Sequence, residues 1–352
     1  MPKDSPIIDP KDAAETAGLI HVSDDMPGIT RHRAGTGFSY RDPAGKTIRD
    51  PKLRRRIEAL AIPPAYTDVW ICPDPRGHIQ ATGRDARGRK QYRYHPDFRE
   101  LRESAKYEHM LDFAAALPTI RSRVDEDMSR RKMTQEKVLA TAVWLLEHTM
   151  IRVGNADYAR ENRSHGLTTL RSRHLKLEGS QVRFRFRGKS GKEWDVGIAD
   201  RRVARIMRRM QDIPGQHLFQ YLDEDGERRQ VSSTDVNDYL REISGKDVTA
   251  KDFRTWTGTL LAALALSEYD SADSEAVAKR NVRDAIARVA SRLGNTPAIC
   301  RKCYVHPQII DAYLADDLKL ELQGDIAEDL RRTDLHPDEV QVLKFLKKRL
   351  SA

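Results

Sequence analysis

Apolar and polar positions along this chain follow two different periods, one after the other. Residues 51–60 (PKLRRRIEAL) predict a short basic helix that Pro63 and Pro64 end. Segments 69–71, 77–82 and 89–94 then alternate every second residue. They are separated by the turn-forming stretches 73–77 and 83–88, so they predict strands. From about residue 105 the apolar spacing becomes three and four. Thr134 stands where a helix cap belongs, ahead of Val138, Leu139, Ala142, Val143, Leu146 and Met150. Three strand-like runs interrupt this at 174–177, 182–186 and 194–196, with turns at 178–180 and 188–191. Helical spacing resumes over 200–212, 234–244, 249–269, 274–293, 301–322 and about 337–350.

These patterns predict an α+β protein, with a small strand-rich domain at 26–104 and a larger, mostly helical domain with a three-stranded sheet at 105–352. Residues 1–25 are polar and punctuated by Pro and Asp, and they read as a flexible tail. No internal repeat or low-complexity segment is apparent. Composition adds a partner class to this picture. Of 352 residues, 39% are hydrophobic and 33% charged, which fits a folded chain with a heavily charged exterior. Basic residues number 62 against 53 acidic, a formal charge of +9, which favours a polyanion as partner. No run approaches the roughly 20 apolar residues of a membrane span, and residues 1–15 lack the layout of a secretory signal. Only Cys72, Cys300 and Cys303 occur, which fits a reducing cytoplasm better than a disulfide framework.

Several residues are candidates for chemistry. Lys189 sits in a Gly-Lys-Ser-Gly turn between two predicted strands, near Arg183, Arg185 and Arg187. By itself it reads as a solvated turn lysine, although a hairpin can also deliver such a group into a DNA groove as a proton donor. The Walker A context is absent. Arg254, in KDFRTW over 251–256, follows a Thr249–Asp252 capping pattern and so falls near a helix start. That segment alone favours an ordinary helix arginine paired with an acid. Tyr304 lies early in a predicted helix, where most tyrosines are packed. As a nucleophile its phenol, ordinarily near ~10, would need Arg301, Lys302 and the helix start to favour phenolate. Cys300, Cys303 and His306 have metal-ligand spacing, yet no second pair stands at zinc-finger distance. The acidic run 223–227 reads as a hairpin turn, and no dinucleotide loop is present.

Taken in order, four segments resemble the poxvirus-like and bacterial type IB DNA topoisomerases. They are MIRVGN over 150–155, the Lys189 hairpin, KDFRTW over 251–256, and GNTP over 294–297 leading to Tyr304; GRKQYRY over 88–94 resembles that family's DNA-clamping domain. The resemblance implies a clamp around double-stranded DNA built from the domain at 26–104 and a catalytic domain at 105–352. It implies supercoil relaxation by a monomer on nucleoid DNA, through a 3′-phosphotyrosyl intermediate, with no metal, nucleotide or other cofactor. It makes Tyr304 the nucleophile, Arg152 and Arg254 the clamps on the non-bridging oxygens, and Lys189 the general acid, assisted by Arg152. Asn295 stands where many relatives place histidine, so here that position can only hydrogen-bond. Among Arg87, Arg89, Lys90, Gln91, Tyr92 and Tyr94, the basic residues would meet phosphates, and Gln91 and Tyr92 base edges.

Two rival readings remain at this point. A tyrosine recombinase would share the chemistry, but it usually carries histidine three residues before the arginine of the 251–256 segment, where this chain has Lys251. A basic architectural protein would bind DNA without any covalent adduct.

Overall fold

Period-two alternation in the N-terminal part becomes a five-stranded antiparallel sheet in the computed structural model. The structure describes residues 9–269, 271–323 and 333–351, and the chain divides after His109 into two units. The first unit opens with helix α1 (Pro10–Thr16), followed by β1 (Ile29–Ala34), β2 (Gly37–Arg41), α2 (Pro51–Ala59), β3 (Thr67–Ile71), β4 (Ile79–Arg84) and β5 (Lys90–Tyr94). The sheet order is β2-β1-β3-β4-β5, which leaves β5 at an edge. Ile29, Ile57, Val69, Ile71 and Ala81 form its core.

Two expectations need correction here. Residues 10–16 are a helix, not a tail: the Asp9 carboxylate accepts from the Lys11 N–H, Pro10 opens the first turn, and Ala13 and Ala14 bury against Leu19 and Phe98. Two alanines make an apolar face too small to show as periodicity. The β1–β2 hairpin had no counterpart in the sequence pattern, because its Thr, His and Arg positions give little apolar alternation.

The long helix α3 (Pro96–Ser129), within which the division falls, leads to α4 (Gln135–Thr149) and α5 (Ala156–Asn162). The Thr134 hydroxyl caps α4 by accepting from the Lys137 N–H. Strands β6 (Leu175–Glu178), β7 (Gln181–Arg187) and β8 (Glu193–Ala199) then pair antiparallel, with Val182 opposite Ile198 and Phe186 opposite Trp194. Along β7 the residues Val182, Phe184 and Phe186 are buried, while Arg183, Arg185 and Arg187 face outward. Helix α6 (Arg201–Gln211) precedes the hairpin of β9 (Gln220–Leu222) and β10 (Arg228–Gln230). At its turn Asp223 accepts from the Glu227 N–H at 2.8 Å, as a hairpin reading requires.

Among the described residues the second unit continues with α7 (Ser233–Ser244), α8 (Ala250–Ser267), α9 (Glu275–Leu293), α10 (Pro297–Tyr304), α11 (Pro307–Leu314) and α12 (Pro337–Leu350). The helix expected over 301–322 is instead two helices, the second of which ends at Leu314, so residues 315–322 are not helical. Pro307 lacks an N–H and disfavours helical geometry at His306, so the chain turns extended at Val305 and restarts. His306 caps the new helix, its Nδ1 accepting from the Gln308 N–H at 3.1 Å. One apolar core joins α3, α4, the β6–β8 sheet and α7 to α12. Among the described residues no helix is long and apolar enough to cross a membrane.

Candidate active site

Arg254 lies in the second turn of α8, whose start is fixed by Asp252 accepting from the Thr249 N–H at 2.8 Å. The acid partner expected for an ordinary helix arginine is not what it meets. Its guanidinium, 4% exposed, donates to the Met150 carbonyl and, at 2.6 Å, to the Leu293 carbonyl. Those carbonyls close α4 and α9, so one arginine caps the negative ends of two helices, and this fixes its orientation. Burial, with Arg152 nearby, pushes the guanidinium down to about 10, which still leaves it cationic at neutral pH.

Both helix ends are left-handed turns. Met150 caps α4 at φ 58°, which sends the chain directly into Arg152. Gly294 caps α9 at φ 65°, and the Asn295 N–H returns to the Ala290 carbonyl at 2.9 Å in a Schellman arrangement. That turn presents Asn295 to Arg152, whose Nη2 donates to the Asn295 Oδ1. With Oδ1 so occupied, the Asn295 Nδ2 is buried with no hydrogen-bond partner, and the Arg254 Nε shares that condition. Two buried unpaired donors cost about 1–3 kcal/mol each. Arg254 also lies against Tyr304, its guanidinium carbon 5.1 Å from the centroid of the ring.

Tyr304 is the last residue of α10, not an early one. The helix end beside it is therefore the carbonyl end, and not the amide end that the sequence suggested. A positive charge next to the ring comes from Arg254. Helix α10 comes this close to α8 because Gly258 faces it: a Cβ at 258 would lie 2.5 Å from the Tyr304 carbonyl oxygen. Sequence reasoning passed over Gly258, although an isolated glycine in a helix of this length was a legible signal.

The remaining candidate, Lys189, is exposed on the turn between β7 and β8. Ser190 and Gly191 both take positive φ there, at 62° and 76°. Arg152, Arg254, Asn295 and Tyr304 are thus linked in one cluster by the contacts above, whereas Lys189 stands on a separate hairpin.

In the N-terminal unit, β5 carries Lys90, Tyr92 and Tyr94 on one face and Gln91 on the other. Tyr92 and Tyr94 stack with centroids 5.8 Å apart, and Tyr94 stacks in turn on Phe98 at 5.4 Å. Lys90 pairs with Asp24 at 2.6 Å, while Arg89 at 2.7 Å and Gln91 at 3.0 Å both engage Asp85. Hydrogen bonding from Arg89 pushes Asp85 down to about 2. Arg87 is exposed on the preceding turn.

Comparison with known proteins places this geometry in a family. The family model described as eukaryotic DNA topoisomerase I, catalytic core, matches residues 95–327, and that for the bacterial DNA topoisomerase IB N-terminal domain matches residues 37–85. DNA topoisomerase 1B of Acanthamoeba polyphaga mimivirus is 32% identical over 295 residues, 82% of this chain and 88% of that protein. DNA topoisomerase 1 of rabbit fibroma virus is 22% identical over 304 residues, 80% of this chain and 91% of its own. DNA topoisomerase 1B of vaccinia virus (strain Copenhagen) is 23% identical over 277 residues, covering 77% and 82%. The chain belongs to the type IB DNA topoisomerases, and its function is that of such an enzyme.

Proposed function

We propose that the cluster of Tyr304, Arg152, Arg254 and Asn295, completed by Lys189, cleaves and reseals one strand of duplex DNA. The observation that carries this reading is the pair of buried, unpartnered N–H groups on Arg254, which lies against Tyr304, and on Asn295, which is bonded to Arg152. A phosphodiester supplies the missing acceptors. The Tyr304 oxygen attacks the scissile phosphorus and its proton passes to solvent. The bond from phosphorus to the 5′-oxygen breaks, and Lys189 gives that oxygen a proton. Arg152 and Arg254 meet the non-bridging oxygens, whose charge grows in the transition state, with Asn295 Nδ2 as a further donor. One phosphoester replaces another, so religation is the reverse step and no nucleotide is consumed. Torsional strain in the DNA drives rotation between the two steps.

The N-terminal unit is proposed as the second half of a clamp on the duplex, with Arg87, Arg89, Lys90, Gln91, Tyr92 and Tyr94 toward DNA. For Arg89, Lys90 and Gln91 this entails giving up Asp85 or Asp24 in exchange for phosphate or base. The same reading has the enzyme act as a monomer on the DNA of the nucleoid. The test is relaxation of supercoiled plasmid in EDTA without ATP, wild type against Tyr304→Phe. The wild type should relax the plasmid and trap a covalent adduct in denaturant, and the Phe variant should do neither. Relaxation by Tyr304→Phe at the wild-type rate would refute the assignment.

A further inference from the structure

Trp194, on β8, touches two glycines that bracket the proposed chemistry. A Cβ on Gly188, the residue before Lys189, would lie 2.7 Å from the Trp194 Cδ1 and Nε1. A Cβ on Gly294, the residue before Asn295, would lie 2.6 Å from the Trp194 Cζ2. The five-membered edge of the indole therefore rests on the base of the Lys189 hairpin, and its six-membered edge on the cap that presents Asn295. Its ring plane is held as well, parallel to the buried Phe186 ring within 4° at a centroid distance of 6.0 Å.

The hairpin is short and closed on itself. The Gly188 N–H donates to the Lys192 carbonyl at 2.8 Å and the Gly191 N–H to the Gly188 carbonyl at 3.1 Å, so displacement of Gly188 displaces Lys189. Beside the indole lies a cavity of about 490 Å³, lined among others by Trp194, Trp256, Phe253, Glu193 and Gly294. Loss of the indole would enlarge that space and remove its contacts with both glycines.

We infer that Trp194 is a positioning residue for strand cleavage: it sets the distance between the Lys189 hairpin and the Asn295–Arg152 pair. This rests on the reading of Lys189 as general acid. An acid must stand within hydrogen-bond reach of the leaving oxygen, and a lysine at the tip of a hairpin holds that place only if the hairpin base is fixed.

The experiment compares single-turnover cleavage of two duplexes, one with the natural bridging 5′-oxygen at the scissile phosphate and one with a bridging 5′-sulfur. A thiolate leaves without a proton, so sulfur bypasses the acid. Trp194→Ala should slow the oxygen ester by about tenfold or more and cleave the sulfur ester near the wild-type rate, with Trp194→Phe between. At φ −97° Gly188 tolerates a side chain in its backbone, so Gly188→Ala acts only through its collision with the indole. It should slow the oxygen ester in the wild type and add nothing in the Trp194→Ala background. Equal slowing of both esters by Trp194→Ala, or no slowing of either, overturns the inference. Lys189→Ala separates the two readings. If sulfur rescues it while Trp194→Ala is unslowed, only the positioning role fails; if sulfur does not rescue it, the acid role fails and takes the positioning role with it.

Discussion

In the proposed site, Asn295 can contribute only by hydrogen bonding. Its Oδ1 is committed to Arg152, and its Nδ2 is the buried donor left over. An amide does not titrate, so its contribution to cleavage should not vary with pH. Asn295→Ala removes one donor and releases Arg152, and a loss of roughly tenfold to a hundredfold in cleavage rate is expected, at or below the range for one transition-state donor. Asn295→Asp keeps an acceptor for Arg152 but places negative charge where the phosphate must lie. It should therefore cleave more slowly than the Ala variant in single-turnover assays. An Asp variant faster than Ala would mean that position 295 serves Arg152 alone.

At the scale of elements, α8 holds the site together. Its Arg254 caps α4 and α9, and its Gly258 admits α10. Alanine is the better helix former by about 1 kcal/mol, so propensity alone predicts that Gly258→Ala stabilises the protein. Packing predicts the opposite, because the new methyl would meet the Tyr304 carbonyl oxygen at 2.5 Å and the Leu293 Cδ1 at 3.2 Å. Overpacking of this kind costs about 1–3 kcal/mol. A lower urea midpoint at unchanged m-value is expected, together with slower cleavage, since α10 must shift. A raised midpoint would show that α10 yields without cost. On the far side of α8, the Trp256 indole donates to Glu339 at 3.0 Å, and Arg121 joins Glu339 to Glu147. That network keeps Glu339 ionised below the usual carboxylate range in spite of burial.

For the whole molecule, acid should weaken folding before the carboxylates titrate. Burial beside His165, Arg173 and Arg171 pushes His174 down to about 4 from its ordinary 6.5. Between those values the unfolded chain binds a proton that the folded chain does not. Stability present above pH 6.5 is thus lost as pH falls through about 4. His174→Asn keeps an acceptor for the Arg171 N–H, which now donates to the His174 Nδ1 at 3.1 Å. Urea unfolding of this variant should show a shallower decline between pH 6.5 and 4 than the wild type. Identical slopes would assign the acid sensitivity elsewhere, with half-buried His148, also pushed down by desolvation, the next group to test.

Elements with strong periodicity were legible along the chain: the α4 helix with its Thr134 cap, the three strands around Lys189, and α8 to α9. Weakly patterned ones were not. The alanine face of α1 and the polar β1–β2 hairpin carry too little apolar contrast, and the break at Pro307 lay inside an otherwise helical run. The five proposed catalytic residues could be named from their segments only as a set, since each has an ordinary role when taken singly.

What the sequence determined by itself was local: which residues alternate, where caps and turns fall, and which side chains carry charge for a polyanion. Those properties depend on near neighbours in the chain. Tertiary structure alone decided that Arg254 spans the ends of two helices, that Asn295 keeps a donor unpaired, and that Trp194 meets Gly294 as well as the hairpin glycine Gly188. The contacts of Arg254, of Asn295 and of Trp194 with Gly294 join positions roughly 40 to 140 apart, and a period of two or 3.6 residues carries no information over such separations.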